Sequence, residues 1–380
     1  MIRLAQQLGA APDKLRGSEG ERISNQRPIA KKASRRFAEH IRNFVRAYAT
    51  AVPRHAFVEV LESCIAVGMT TIMTSVAEML FAWAERGVLP AEREQSPAQL
   101  LVDCSNGVDR SLRTLAEQSM EEFRRRLERL PVILMALRLL DYGARYDPVL
   151  KKRAVDTAPY ATDWVNLLGD LLLERSEEAR PIIYDLERKT AILAERLEED
   201  YGEAASILRA SSVQPSPVWR LAEALSFLQG RKNTQNNVTE LLDSCLLMDR
   251  PNGLAVKRAV TRAAAMAGTK TRGEARCLVF TDSVLDYLVH VHVLRRGRRL
   301  NGRSVPLADF VDTLYGNYGF CVDRAPHGMA VSNELLRQNR ATLERRLRDL
   351  GLLVGVNDAE SMKHVSPRFQ RVQEQDNHVD

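Results

Sequence analysis

The segment Leu101–Gly107 is the one place in the sequence where an apolar run ends on side chains that could do chemistry together. It supplies a carboxylate, a thiol and a hydroxyl from Asp103, Cys104 and Ser105, a set that can carry a nucleophile or bind a metal ion. No histidine and, apart from Asp109, no further carboxylate accompanies it. We therefore interpret it as an Asx or Ser turn that caps a helix beginning near Asp109. An enzyme centred on Asp103 and Cys104 is the less favoured alternative.

The other patterns that resemble catalytic or metal sites are placed unsuitably. His290 and His292 would point about 200° apart in a helix and could not chelate one ion there, so we assign them packing or surface roles. Glu187–Lys189 matches the ExK pattern of restriction-type nucleases, which need a strand, but it lies in an amphipathic helical stretch. The sequence contains no GxxxxGK[ST] or GxSxG motif and no GxGxxG after a strand. We expect a protein that is not an enzyme and needs no cofactor or metal.

The favoured chemistry is that of arginine, which is concentrated in the predicted helix NELLRQNRATLERRLRDLG near the carboxyl end. Leucines at helical spacing form the apolar face of this helix, and arginines lie on its other faces. Because a guanidinium fork suits both phosphate oxygens and guanine edges, the helix predicts contact with DNA. A lysine in the following segment and two arginines in an upstream basic turn complete the predicted contact set. Its members are Arg337, Arg340, Arg345, Arg346, Arg348, Lys363, Arg298 and Arg299.

Two other roles for this basic helix stay open. Its arginines can form a solvated face that pairs with Glu344 and Asp349, which is the usual fate of a charged helix surface. The domain that contains the helix can also serve to dock another protein. A basic pattern by itself does not separate these roles from DNA contact.

The basic helix belongs to a predicted winged-helix-like domain over residues 276–369. The helices DSVLDYLVHVHVL and LADFVDTLYG precede it, and the segments LLVGV and SMKHV follow it as a short β-hairpin with its turn at Asn357–Asp358. In such a fold the basic helix can enter a major groove while the hairpin contacts adjacent backbone. About 14 residues, 318–331, separate the second helix from the basic one. This is longer than the turn of a strict helix-turn-helix.

Helical periodicity over most of the remaining chain predicts a mainly α fold, a helical bundle followed by the winged-helix-like domain. Composition divides the chain into a flexible basic arm (1–34), a helical bundle (35–210), a helical middle region (218–275), the winged-helix-like domain (276–369) and a disordered tail (370–380). The boundary before the middle region follows the proline-containing segment SSVQPSPVW. Within the middle region, Leu254–Ala267 predicts a helix and GRKNTQNN an exposed loop.

Cysteine spacing, charge and hydropathy indicate where such a protein would work. The five cysteines show no CxxC spacing, which fits neither a zinc site nor a disulfide framework and indicates a reducing cytoplasm. The net charge is only +6, so the distribution of basic residues, and not the total, supports nucleic-acid binding. The uncharged run Ser63–Ala77 is shorter than the roughly 20 residues of a spanning helix. It therefore predicts a buried helix and no membrane contact.

Two segments carry a resemblance to a known group of proteins: LVDCSNGVDRSLRTLAEQSMEEFRRRLERLPVILMALRLLD and NELLRQNRATLERRLRDLGLLVGVNDAESMKHVSPRF. They are similar to helical proteins encoded beside methyltransferase-containing anti-phage systems, the methylation-associated defence systems. The resemblance extends over most of the chain. It implies a bacterial antiviral subunit that senses or binds DNA, or that scaffolds other defence-system proteins, and it supplies no active-site residues.

From the residues and the resemblance together we predict a cytoplasmic, non-enzymatic DNA-binding or assembly subunit of a bacterial anti-phage complex. The alternative is a protein–protein scaffold that makes no contact with nucleic acid, in which the apolar Ser63–Ala77 helix is buried at an interface. Other defence-system proteins are expected partners in both cases, and the question of a homo-oligomer stays open.

Overall fold

In a computed structural model the chain is mainly helical, and the structure describes residues 14–16, 22–24, 28–150, 152, 161–263, 270–296, 304–355 and 363–369. The helices are α1 (Lys31–Tyr48), α2 (Arg54–Arg86), α3 (Arg110–Leu127), α4 (Leu130–Tyr146), α5 (Ala161–Leu172), α6 (Ala179–Arg196), α7 (Gly202–Arg209), α8 (Pro217–Leu228), α9 (Arg231–Cys245), α10 (Asp282–Arg296), α11 (Leu307–Tyr318) and α12 (Asn333–Asp349). The strands are β1 (Lys14–Arg16), β2 (Arg22–Ser24), β3 (Leu100–Leu101), β4 (Ala255–Ala263), β5 (Lys270–Leu278), β6 (Val305–Pro306), β7 (Phe320–Cys321), β8 (Leu353–Val354) and β9 (His364–Val365).

The chain divides into two compact units, each assembled from separated segments. The first unit comprises Met1–Lys31, Leu80–Ala91 and Val132–Gly230. The second comprises Lys32–Met79, Glu92–Pro131 and Arg231–Asp380. Helices that were predicted together in one bundle over residues 35–210 are therefore shared between the two units.

The first unit contains a close approach of two backbones. Gly87, at φ +72°, follows α2, and Gly169 lies on α5. A Cβ atom on Gly169 would lie 1.7 Å from the carbonyl oxygen of Gly87, so the contact requires glycine. Beside it, the indole nitrogen of Trp83 donates a hydrogen bond to the carbonyl oxygen of Val165 at 2.8 Å.

The second unit contains a small parallel arrangement of buried backbone. Strands β3 and β7 are parallel, and Asp103 forms a further parallel bridge to Val279. Both strands are fully apolar and buried, as expected where parallel strands are covered on both faces. The antiparallel ribbon β4–β5 packs against α3. The carboxyl ends of the three parallel segments come together, and this is the edge at which α12 is anchored.

Residues 282–369 follow the order α10, β6, α11, α12, β8, β9, with the short strand β7 between α11 and α12. Strand β9 lies between β6 and β8 and is antiparallel to both, so that Val365 faces Val305 on one side and Leu353 on the other. The two segments predicted to form a hairpin are thus antiparallel partners. Their predicted turn at Asn357–Asp358 lies outside the described residues.

The predicted helix Leu254–Ala267 is wrong, because residues 255–263 form strand β4 and pair with β5 through nine residue pairs. The middle region 218–275 is therefore not wholly helical. Alanines together with Val256 and Val260 at a spacing of four mimic a helical pattern. The β-branched residues of this segment also suit a pleated strand, which a partner strand stabilises.

Two further predictions differ from the structure. The polar segment GRKNTQNN lies mainly within α9 and does not form a loop. The predicted arm 1–34 contains the antiparallel pair β1–β2 and the start of α1, and its other residues before 28 lie outside the described part of the chain. The predicted tail 370–380 also lies outside it.

Helix α2 includes the uncharged run Ser63–Ala77. Among the described helices it alone is long and apolar enough to cross a membrane by length and composition. Of its most apolar 18-residue window, 72% is buried inside the protein. That degree of burial is typical of a core helix, which passes the same test of length and composition.

Candidate nucleic-acid interface

Helix α12 is positioned by its cap and by its apolar face. The hydroxyl of Ser332 accepts a hydrogen bond from the backbone N–H of Leu335 at 3.2 Å, which satisfies one of the free donors at the start of the helix. Leu336, Leu343 and Leu347 are buried on one side. Leu336 packs with Leu101 and Cys321 of the parallel strands. The predicted leucine-backed basic helix is therefore confirmed.

Arg346 fastens α12 to the rest of the unit. One terminal nitrogen of its guanidinium donates to the carbonyl oxygens of Cys104, at 3.1 Å, and Phe280, at 2.6 Å. The other donates to the carboxylate of Asp282 at 2.6 Å. These bonds join the ends of two parallel segments and the start of α10. The structure thus gives Arg346 an internal role, and its predicted contact with DNA stays a prediction.

Two other members of the predicted set are also ion-paired within the protein. Arg340 donates to the carboxylate of Asp323 at 2.8 Å and lies 3.7 Å from that of Glu344. The ammonium group of Lys363 donates to Glu344 at 2.7 Å. Glu344 therefore links α12 to the segment that leads into β9. The anticipated pairing with Glu344 is therefore present, but it is formed by mostly buried side chains and not by a solvated face.

The three remaining arginines of the helix, Arg337, Arg345 and Arg348, are exposed. Since successive helical residues turn by about 100°, the three lie within about 80° of one another on one side of α12. The small residue Ala341 lies between them. Within the described part of the chain no carboxylate is ion-paired to any of the three. We call this set the arginine stripe. Arg298 and Arg299 lie outside the described residues.

The sequence interpretation missed Asn339. This buried amide donates from Nδ2 to the carbonyl oxygens of Val102, at 2.8 Å, and Val322, at 2.9 Å. Its Oδ1 accepts the backbone N–H of Cys104 at 2.9 Å. One side chain thus satisfies three backbone groups at the ends of two parallel segments. The sequence signal that could have identified Asn339 is the presence of a polar residue within the leucine face of the helix.

The segment Asp103–Asp109 forms a hydrogen-bonded turn directly before α3. The carboxylate of Asp103 is buried and accepts bonds from the backbone and hydroxyl of Ser105, at 2.8 and 2.5 Å, and from the backbone N–H of Gly107 at 2.9 Å. Asp109 then caps α3 by accepting from Ser111 and Leu112. This is the predicted turn and cap.

Cys104 is fully buried beside this turn. Burial raises the pKa of its thiol above the ordinary value, and the negative charge of Asp103 raises it further. A thiol with a raised pKa is less ionised at neutral pH and is therefore a weaker nucleophile. The electrostatics of this thiol give no support to the alternative of an enzyme centred on Asp103 and Cys104.

The two predicted histidines are buried and have separate partners. Nε2 of His290 accepts from the backbone of Phe369 at 3.2 Å, and Nδ1 lies 2.7 Å from the carbonyl oxygen of Asp286. Nε2 of His292 lies 3.4 Å from the hydroxyl of Tyr318. Among the described residues no group of three or more His, Cys, Asp or Glu side chains is placed to hold a metal ion. These histidines pack within the second unit.

A family model described as methylation-associated defense system protein MAD7 matches residues 1–369. The chain belongs to this family. The resemblance inferred from the two sequence segments is therefore confirmed. No curated protein and no solved structure matches the chain.

Proposed function

We propose that this defense-system protein is a subunit that binds duplex DNA through the arginine stripe of α12. The observation that supports the proposal best is the stripe itself, Arg337, Arg345 and Arg348, which is exposed on one side of a rigidly anchored helix. Some exposed arginines elsewhere, such as Arg188, instead pair with a neighbouring carboxylate, here that of Asp185 at 3.0 Å. Unpaired guanidinium groups are available to phosphates.

The surrounding elements support this placement of the DNA. A helix, a strand, two helices and two further strands, with the last strand between the other two, is the order of a winged helix. Residues 282–369 follow this order except that the short strand β7, which pairs with β3, is inserted between the last two helices. In the proposed domain α12 is the third helix, the one that faces a groove. Arg340, Arg346 and Lys363 would then hold the helix in position, while the arginine stripe meets the phosphates.

The size of the stripe sets the expected strength of the electrostatic contribution. Its ends are 11 residues apart, or about 16 Å along the helix axis. Duplex DNA carries about one charge per 1.7 Å, so all three guanidinium groups can reach phosphates. Three contacts correspond to a slope of about −2.7 in a plot of log affinity against log salt concentration. Binding should then weaken about 40-fold between 50 and 200 mM salt from this stripe alone.

Fluorescence anisotropy with a labelled 30-base-pair duplex tests the proposal on the full chain. The stripe variant is Arg337→Gln/Arg345→Gln/Arg348→Gln, and the control variant is Arg138→Gln/Arg180→Gln/Arg196→Gln, which removes the same charge from exposed helical positions of the first unit. At low salt the stripe variant should bind at least about tenfold more weakly than wild type, and the control variant within about twofold of it. Equal binding by the two variants would overturn the proposal.

A second candidate function, a scaffold for other proteins of the defense system, is favoured by one observation. Val58, Ile65 and Met69 on α2 are 46%, 41% and 40% exposed although the helix is otherwise largely buried. Their spacings of seven and four residues place them along one seam, as in helix-to-helix packing. If other proteins of the defense system copurify with wild type after nuclease treatment, but not with the variant Ile65→Ser/Met69→Ser, this function is favoured. Retention in that variant would argue against the seam.

A further inference from the structure

Helix α2 is covered by the second unit on one side only, although apolar side chains lie all round it. On the covered side the hydroxyl of Ser63 donates to the carbonyl oxygen of Asn252 at 3.0 Å. The hydroxyl of Thr70 donates to the carbonyl oxygen of Cys245 at 3.1 Å. A helix that is apolar all round is typical of a position that is buried on all sides. The uncovered side therefore indicates a missing partner.

The uncovered side carries a straight row of apolar residues. Val58, Ile65 and Met69 are 46%, 41% and 40% exposed, and Val76 is partly exposed. At about 100° per residue, the four lie within about 40° of one another around the helix and span about 27 Å of its length. All four belong to the second unit. We call these four residues the α2 seam.

The α2 seam has the same spacing in both directions along the helix. Its residues are separated by seven, four and seven positions, so the row is symmetric about Val67. A second copy that runs antiparallel and is centred at the same level brings Val58 opposite Val76. It also brings Ile65 opposite Met69. Such self-complementarity is what a two-fold interface between identical chains requires.

The edges of the seam also match in the antiparallel arrangement. A two-fold axis through the centre of the contact brings the same edge of the two helices together. On one edge lie Leu61 and Ile72, both partly exposed, and each comes level with the other in the second copy. On the other edge Met73 comes level with Glu62, whose carboxylate accepts a hydrogen bond from the side-chain amide of Asn252. Glu62 therefore meets an apolar side chain of the second copy and not a second carboxylate.

We infer that the protein forms an antiparallel homodimer in which the α2 seams of two copies pack against each other. The run Ser63–Ala77 has no charged residue that would select a partner of a particular charge. Apolar rows of matching spacing, in contrast, select a second copy. The dimer does not depend on the proposed DNA binding, because the seam and the arginine stripe lie on different helices. Other proteins of the defense system would then bind elsewhere than on the seam.

Disulfide cross-linking of the full chain tests both the contact and its direction. The variant Val58→Cys/Val76→Cys places two thiols about 27 Å apart in one chain, too far for a disulfide within it. In the antiparallel dimer each thiol faces the other position of the second copy, so mild oxidation should give a covalent dimer. Neither single variant should do so, because equal positions of the two copies are also about 27 Å apart.

The background of this experiment is low. The five native cysteines are buried. Val108→Cys/Val213→Cys is the control for random collision, since these two positions are 85% and 84% exposed, more than those of the seam. It should give much less covalent dimer than Val58→Cys/Val76→Cys.

Sedimentation velocity without DNA measures the oligomeric state itself. Wild type should sediment as a dimer. Ile65→Ser/Met69→Ser should raise the dissociation constant at least about 100-fold, because four apolar side chains leave the contact. Leu134→Ser/Ile192→Ser is the matched control and should stay dimeric, since these positions are 48% and 40% exposed in the first unit. Circular dichroism should be the same for both variants, because the substituted side chains are exposed.

Each other result overturns the inference in a recognisable way. A covalent dimer from either single cysteine variant would show that the copies do not run antiparallel. A monomeric wild type, or a dimer that persists in Ile65→Ser/Met69→Ser, would show that the seam does not join two copies. If that variant instead loses another protein of the defense system, the seam belongs to that protein. Loss of DNA binding in the stripe variant should leave the dimer intact, so the two proposals can fail separately.

Discussion

The substitution Asn339→Leu tests how α12 is held in position. It keeps a side chain of similar size but removes the three buried hydrogen bonds to Val102, Val322 and Cys104, which measure 2.8 to 2.9 Å. Each buried backbone group left without a partner costs about 1–3 kcal/mol. Burial of the leucine offsets about 1–2 kcal/mol of the total. We expect the free energy of unfolding of this region to fall by about 3–5 kcal/mol, a large fraction of the stability of an ordinary domain.

Hydrogen exchange of the amides in α12 measures this effect directly. A loss of 3–5 kcal/mol corresponds to a fall in protection of about 150- to 4,000-fold, at about 1.4 kcal/mol per tenfold. The three tryptophans, Trp83, Trp164 and Trp219, all lie in the first unit, so tryptophan fluorescence does not report on this helix. Gln338→Leu removes an exposed amide one residue away and should cost less than about 1 kcal/mol. Equal protection in the two variants would refute the reasoning about Asn339.

Three further predictions follow from the described contacts. Burial by itself raises the pKa of Asp286, but hydrogen bonds from His290 and Arg368 outweigh it and hold the pKa below the ordinary value. The ionised carboxylate therefore stabilises the fold above about pH 4. This stabilisation is lost as the pH falls through the lowered pKa of Asp286 in the folded protein. Asp286→Asn should thus lower the urea midpoint measured by circular dichroism at pH 7 and have less effect near pH 3, and an equal effect at both would contradict this. Gly169→Ala should destabilise the first unit by about 1–3 kcal/mol in tryptophan-monitored unfolding, because its Cβ would meet the carbonyl oxygen of Gly87, whereas Gly202→Ala, with open space around it, should not. All five cysteines are buried, so a thiol-specific reagent should label none of them quickly in the native protein and all five in urea; rapid native labelling of Cys104 would contradict its burial.

The features of α12 that depend on nearby residues can be predicted from the sequence. Leucines at helical spacing, the cap at Ser332 and the two apolar segments after the helix all act over a few residues, and each has its expected counterpart in the structure. The turn at Asp103–Gly107 was predictable for the same reason. Its side chains bond backbone groups two to four residues away.

The contacts that decide which arginines of α12 are paired within the protein join residues that lie far apart in the chain. Arg346 binds the carbonyl oxygen of Cys104 across a separation of 242 residues and Asp282 across 64. Nothing in the local pattern distinguishes Arg346 from its exposed neighbour Arg345. The strand β4 was missed for a related reason, because its pairing with β5 outweighs a local spacing that also suits a helix. Tertiary contacts therefore pair two of the five arginines of α12, Arg340 and Arg346, with carboxylates of the protein, and leave the three of the stripe without an ion pair among the described residues.

The salt dependence of DNA binding tests the central claim most directly. Affinities of wild type and the stripe variant for one duplex would be measured at several salt concentrations between 50 and 200 mM. The slope of log affinity against log salt should be less negative in the stripe variant by about 2.7, which is the contribution of three phosphate contacts. Identical slopes would show that Arg337, Arg345 and Arg348 touch no phosphate, and the account of α12 as the DNA-binding helix would be wrong.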